Sequence, residues 1–461
     1  MRRIAQGFVA LTFFGCGGDT SPASPAAEVV DSAGVTIVTS QPGAAAYAEL
    51  ALEPSLSIGV LEGPEELLFD GIATVVRDGE GNFVVADNGA GEIRIFDAEG
   101  NHLRSFGGRG EGPGEFQTLV GAWPLADGSI VAADRRLQRI TRFDAEGSLL
   151  GTGALLGVDA MAMLTPVGIS GPETFLSRIR PFTMPSMGPE STMRSLEEAF
   201  ASDAAPPEYF LRYRLDGTPV DTLAQHPGLM MSVSASGSGA EMSLNLLRVP
   251  FSPDPSASGS IGGVAITGGR TYEVSVFDDT GTLNRIVRLA EAPTPRTDEH
   301  LEAYVRNSGN PFTQDEASIR QMVANYQEMP LPESLPAYTD LRIADNGELW
   351  ARRHSLRGAS TVHWDVFGAD GVYLGRVEVP SSFLIEEVSR GQAIGVSRDE
   401  FGVERVEVRE LTLSGRQSTT APKTTRTTTH EPQSGMALPP PWLNQLQTHA
   451  RVSCAERDRR G

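Results

Sequence analysis

Ile93-Arg94-Ile95-Phe96-Asp97-Ala98-Glu99-Gly100 decides the fold, because the chain repeats it as Ile140-Thr141-Arg142-Phe143-Asp144-Ala145-Glu146-Gly147. Further copies read Tyr213-Arg214-Leu215-Asp216-Gly217, Val274-Ser275-Val276-Phe277-Asp278-Asp279-Thr280-Gly281 and Trp364-Asp365-Val366-Phe367-Gly368-Ala369-Asp370-Gly371. A faint one, Val408-Arg409-Glu410-Leu411-Thr412-Leu413-Ser414-Gly415, comes last. Each copy alternates apolar and polar residues, the pattern of a half-buried strand. Most then meet an Asp/Gly turn, where glycine supplies positive φ without steric cost. A second short strand follows, as in Asn101-His102-Leu103-Arg104-Ser105-Phe106. These are hairpins.

Upstream of each hairpin lies a more apolar strand: Gly81 to Asp87, Gly128 to Asp134, Glu173 to Arg178, Gly263 to Thr267, Gly347 to Arg352 and Gly391 to Val396. Near-continuous apolar strands are buried on both faces. Self-similarity at a period of roughly 40 to 50 residues signals stacked repeats or propellers. A lone four-stranded blade cannot bury both faces, so blades stack around an axis. The expected fold is therefore all-β, a six-bladed β-propeller over residues 31–416 with a small helical insertion. The apolar strands are read as the inner strands of the blades. The lone strand Gly34-Val35-Thr36-Ile37-Val38 is expected to complete the last blade and close the ring; a seventh blade would have to hide between residues 225 and 260.

Phe106-Gly107-Gly108-Arg109-Gly110-Glu111-Gly112-Pro113-Gly114-Glu115-Phe116 resembles the blade junction of NHL-repeat six-bladed propellers, and Val84-Val85-Ala86-Asp87 and Val131-Ala132-Ala133-Asp134 resemble that repeat's inner-strand ending. The resemblance is specific over residues 67–150. It implies an exported, lipoprotein-like bacterial propeller.

The ends agree with export. Met1-Arg2-Arg3 and an apolar run from Ile4 to Phe14 read as a signal peptide over residues 1–15, too short to span a bilayer core of roughly 30 Å as a helix. Phe13-Phe14-Gly15-Cys16 resembles a lipobox, with Phe13 where leucine is usual; it implies lipidation of Cys16, and the lack of Asp after Cys16 implies the periplasmic face of the outer membrane. Residues 16–30 carry the lipidated cysteine and a Ser-, Pro- and Ala-rich tether. Residues 417–461 read as a low-complexity, disordered tail. Within the body, residues 182–207 read as a Pro- and Met-rich insertion with a short helix from Ser195 to Ala201, and residues 231–260 as a Ser/Gly-rich mobile loop. Residues 297–329 read as two helices, opened by Thr297 and by Thr313, packing over one end of the ring.

The formal charge of −21 argues against nucleic acid, whose phosphates demand a basic face, and against adhesion to anionic lipid beyond the anchor. Two cysteines, Cys16 and Cys454, make neither a disulfide framework nor a thiolate metal site. No hydrolase elbow, zinc-helix motif or phosphate loop occurs. Asp78-Gly79-Glu80-Gly81-Asn82 has Phe83 where a calcium loop requires glycine, and reads as a hairpin turn. No cofactor, metal or catalytic residue is assigned. Candidate ligand-binding residues are those at the ends of the inner strands, around an axial funnel: Asp87, Asp134, Arg178, Arg180, Arg353 and Arg398. Arginines there could hold an anion through bidentate contacts; the competing reading is turn capping and ordinary ion pairs. The expected function is a non-enzymatic binding or scaffold module of the cell envelope, for a protein, a peptide or a small anionic ligand. The alternatives are a metal-dependent hydrolase or lyase, like lactonase and amidating-lyase propellers, and a structural subunit of an envelope complex.

Overall fold

A computed structural model of the chain describes residues 27–43, 45–155, 163–181, 207–236, 243–308, 315–414 and 427–428. The signal peptide, Cys16, most of the tether, the expected helix at Ser195 to Ala201 and most of the tail lie outside the described residues. Thr427–Thr428 pairs in parallel with Val30 and Asp31.

Six mainly antiparallel sheets among the described residues are arranged about one axis. Their innermost strands are Ile72–Arg77, Leu119–Pro124, Met163–Gly171, Ser256–Ser260, Tyr338–Ile343 and Phe383–Ser389. They neighbour one another in cyclic order, and the sixth returns to the first. The strands read from sequence as inner are the second strand of each blade: Phe83–Asp87 lies between Ile72–Arg77 and Glu92–Phe96, and Ile130–Asp134 between Leu119–Pro124 and Arg139–Phe143. The physical reason is coverage. A second strand has a strand on each side and a blade against each face, so Phe83–Asp87, Ile130–Asp134 and Gly263–Thr267 are buried throughout. An innermost strand has one edge on the channel and can carry polar and small residues, as Ser256–Ser260 does.

The repeated hairpin forms the outer half of each blade. Asp97 Oδ1 accepts from the backbone of Glu99 and Asn101, and Gly100, at φ 86°, donates to the Asp97 carbonyl. Asp144 and Asp278 repeat the arrangement. The glycine-rich junction Phe106–Phe116 carries the chain from blade one to blade two. It buries Phe116, whose ring meets Phe143 at 6.2 Å, while Arg139 ties down the Glu111 and Gly112 carbonyls.

Closure differs from the expectation. Val35–Ser40 does not complete the last blade; it pairs in parallel with Leu283–Leu289 on the outside of blade four, with Ala27–Ser32 beyond it. Blade six is completed by Ala48–Leu50 and Leu56–Ile58, which pair with Glu404–Leu413. This explains why the sixth copy of the repeat is faint. Blade six contributes three strands from its own end of the chain, and Leu413 runs into the partner register of Ala48 where other blades have a turn.

Within the supposed loop over 231–260, the described residues 231–236 and 243–260 are structured. Met231–Ser236 and Ser243–Arg248 form a two-stranded sheet outside the ring, and Ser256–Ser260 is the innermost strand of blade four. Among the described residues no seventh blade arises there. The insertion over 297–329 holds helices α1 (Asp298–Arg306) and α2 (Glu316–Gln327). Thr297 caps α1, closing a capping box with His300; Asp315, rather than Thr313, caps α2 by accepting from Ala317 and Ser318. Leu301, Val323 and Tyr326 pack on Phe251, Leu335 and Leu356. Among the described residues no helix is long and apolar enough to cross a membrane.

Candidate functional site

At the face where the innermost strands begin, the loop before blade four, the loop after Leu349–Arg353 and α1 enclose a cup of about 340 Å³. Its chemistry comes from Arg248, Asp254, Arg352, His354 and Arg357, with Phe251 and Tyr304 as apolar walls. The loop is locally strained. Phe251, buried and bulky, sits at φ 59°, a region such a side chain rarely occupies. That conformation closes the turn from Val249 to Ser252, whose amide donates to the Val249 carbonyl, and Ser252 Oγ accepts from Met230 N.

The cup is cationic. Arg248 approaches Asp254 at 3.7 Å and donates to the Ser252 carbonyl. Arg357 lies over the Tyr304 ring at 4.8 Å. Arg352 has no ion pair or guanidinium hydrogen bond among the described residues, and its Nε is buried without a partner. Burial lowers the Arg352 pKa; nearby Asp340 works the other way, and Arg342 adds to the lowering. Asp340 is itself engaged by Arg342 at 2.7 Å. His354 donates its backbone N–H to Ala337, its ring meets Phe251 edge-on at 6.2 Å, and its Nε2 is buried without a hydrogen bond among the described residues. Burial, reinforced by the nearby Arg248, His300 and Arg352, brings its pKa down to about 4.

The six residues singled out from sequence part company. Arg178 and Arg180 stand beside the cup: Arg178 donates to Asp254 at 2.8 Å, and Arg180 donates to fully buried Glu208 at 2.6 Å and reaches Asp254 at 3.4 Å. Asp87 and Asp134 cap turns. Asp87 accepts from Asp70 and Ala90 and pairs with Arg94; Asp134 accepts from Gln117, Thr118 and Leu137. Burial raises the Asp87 pKa against the pull of these donors and of Arg94. Arg353 is committed between blades to Asp365 at 2.8 Å, to Glu291 and to the Tyr272 hydroxyl. Arg398 pairs with Glu404 and is mostly exposed.

Sequence reasoning picked Arg353 from the run Arg352-Arg353-His354, whereas Arg352 enters the cup. Side chains alternate along a strand, so the choice rested on register, which a strand-end tripeptide does not reveal. Arg248 and Asp254 were missed because residues 231–260 read as a loop; the Arg-Val-Pro-Phe-Ser-Pro-Asp run was the available signal. Among the described residues no group of three or more His, Cys, Asp or Glu could hold a metal ion.

No characterised protein matches the chain in sequence. Solved structures resemble it at low identity. A Bacteroides fragilis protein described as exported is 10% identical, covers 81% of this chain and 99% of its own, and has a TM-score of 0.43. A DUF4221 family member from Bacteroides vulgatus is 11% identical over 80% and 99%, with a TM-score of 0.44. Virginiamycin B lyase from Staphylococcus aureus is 10% identical over 78% and 99%, with a TM-score of 0.35. Residues 55–165 match the DUF5128 family, described as a 6-bladed beta-propeller, and with six blades closed by strands from both ends, the chain is a six-bladed β-propeller.

Proposed function

We propose that the protein is an exported, non-enzymatic binding propeller that holds a small anionic ligand in the cup at blades three to five. The observation that carries this reading is Arg352: a guanidinium with a buried, unpartnered Nε, facing a cavity in an otherwise acidic chain. Burying such a donor unpaired costs free energy that a carboxylate or phosphate would recover through charge-assisted hydrogen bonds. Arg248 and Arg357 stand around it, and the carboxylates nearby are already engaged, Asp254 by Arg178 and Asp340 by Arg342. The Phe251 and Tyr304 walls suit a ligand with one apolar side. Export, the lipid on Cys16 and kinship with NHL-type propellers belong to the same proposal, resting on the lipobox-like Phe13–Cys16 and the junction at Phe106–Phe116.

Calorimetric titration with citrate and with inorganic phosphate tests it. The expected result is saturable one-site binding that weakens with salt and falls about tenfold or more in Arg352→Met, a loss of about 1.4 kcal/mol or more. Binding unchanged by that substitution would overturn the reading. A melting point lowered by chelator would favour a metal-dependent hydrolase or lyase instead.

A further inference from the structure

The axial channel opens at its other end into a second cavity of about 710 Å³, where the innermost strands of all six blades finish. Its wall has two unlike halves. Blades one to four present Val76, Trp123, Val167, Ile169 and Ala257, an apolar arc. Glycines let backbone and ring pack closely around that arc. A Cβ at Gly259 would stand 2.0 Å from the Ile169 carbonyl oxygen, and one at Gly121 would stand 2.4 Å from the Trp123 ring.

Blades five and six present charge. Arg342 reaches Asp340 at 2.7 Å and Glu386 at 3.3 Å, so one guanidinium serves two carboxylates. Glu386 Oε2 takes the Arg342 contact; Oε1 has no hydrogen bond among the described residues. Arg77, Glu387 and Asp345 line the same cavity. Glu387 accepts from Arg77 N and Ser389 Oγ, Asp345 accepts from Arg390 N, and the Arg77 guanidinium lies over the Phe83 ring.

The geometry points to a second binding site here, for a small organic ammonium whose charged head meets Glu386 and whose apolar body lies against Trp123 and Ile169. A carboxylate with one open oxygen beside an already shared arginine accepts a cation better than a second anion, and the facing arc rewards burial of apolar surface at roughly 25 cal/mol per Å². Burial pushes the Glu386 pKa up to about 7 despite Arg342, as expected of a carboxylate short of positive partners. A bound ammonium would draw it back down and release protons near neutral pH. The site shares no residue with the anion cup and stands or falls without it.

The test uses the full chain and three probes of one shape: phenethylamine, phenethyl alcohol and 3-phenylpropionate, followed by calorimetry and by Trp fluorescence. Phenethylamine is expected to bind, the alcohol about tenfold or more weaker, and the acid weakest. Glu386→Gln, checked for an unchanged melting curve, is expected to level amine and alcohol, while Arg352→Met leaves amine binding unchanged. Equal binding of amine and alcohol to the wild type, or no amine binding at millimolar concentration, would overturn the site. Because the probe series is read on the unmodified protein, the outcome does not depend on the variant's folding.

Discussion

Glu404, in the third strand of blade six, accepts the backbone N–H groups of Gly71 and Ile72 at 2.8 and 2.7 Å, at the entry to blade one. The contact joins chain segments far apart in sequence across the seam of the ring. Burial pushes the carboxyl up, but Arg398 and the two backbone donors outweigh it and hold Glu404 below its ordinary range. Glu404→Gln keeps the shape but leaves one acceptor oxygen, so its NH2 must face either the two backbone N–H groups or Arg398. The expected cost is about 2 kcal/mol of stability, read as a lower denaturant midpoint with an unchanged slope. A folded pKa below the unfolded one means stability that is present above the unfolded value and lost as pH falls through the folded one. The gap between wild type and variant should therefore close in acid.

Arg352 predicts a stability gain paired with a binding loss. Its cation is partly withdrawn from water, and no ion pair among the described residues compensates it. Arg352→Met retains the apolar stem and removes the charge. Thermal unfolding without ligand should show the variant as stable as wild type or more so, by up to about 1 kcal/mol. A large destabilisation would mean that the guanidinium holds the fold rather than a ligand.

How much of this was legible in sequence follows from which strands repetition marks. The hairpins ending at Gly100, Gly147 and Gly281 announce themselves because turn chemistry and alternation recur together. The innermost strands do not: Ser256–Ser260 is small and polar, and Met163–Gly171 contains Pro166 and two glycines. Both are shaped by the channel and neighbouring blades, not by a two-faced burial pattern. Ring closure was legible in kind, since an N-terminal strand had to pair somewhere. It was not legible in place, because Val35–Ser40 and Leu56–Ile58 are both short apolar segments, and only tertiary position separates them. The cup depends on which of two adjacent arginines faces it, and composition carries no such information.

Asp365 tests the structural half of the arginine set. It is fully buried and accepts from Tyr338 Oη at 3.0 Å, Arg353 Nη1 at 2.8 Å and Arg376 Nε at 2.8 Å. Asp365→Asn leaves two guanidinium groups with Glu291 as their one carboxylate partner among the described residues and should cost about 3 kcal/mol. Tyr338→Phe removes one hydroxyl and should cost about 1 kcal/mol. The double variant should cost less than the two together, since both act on one network. Anion binding in the cup should be unaffected by Tyr338→Phe, because Arg353, unlike Arg352, is held away from it.

Burial and the neighbouring cations keep the His354 ring neutral well into acid. Its folded pKa of about 4 lies below the roughly 6.5 of a free histidine, so the unfolded chain binds the extra proton first as pH falls. Stability from keeping this ring neutral is whole above about pH 6.5 and is lost as pH drops toward about 4, on the order of 2 kcal/mol across that window. His354→Gln carries no titrating group and should flatten the pH dependence of the denaturant midpoint there. An anion in the cup should do part of the same from the other direction. It offsets the arginine field from Arg248 and Arg352, raises the His354 pKa, and takes up protons on binding between about pH 4 and 6. Calorimetry of phosphate binding in two buffers of different ionisation enthalpy reads that uptake. Proton uptake in wild type that disappears in His354→Gln would tie the histidine to the bound anion, and equal uptake in both proteins would place the titrating group elsewhere.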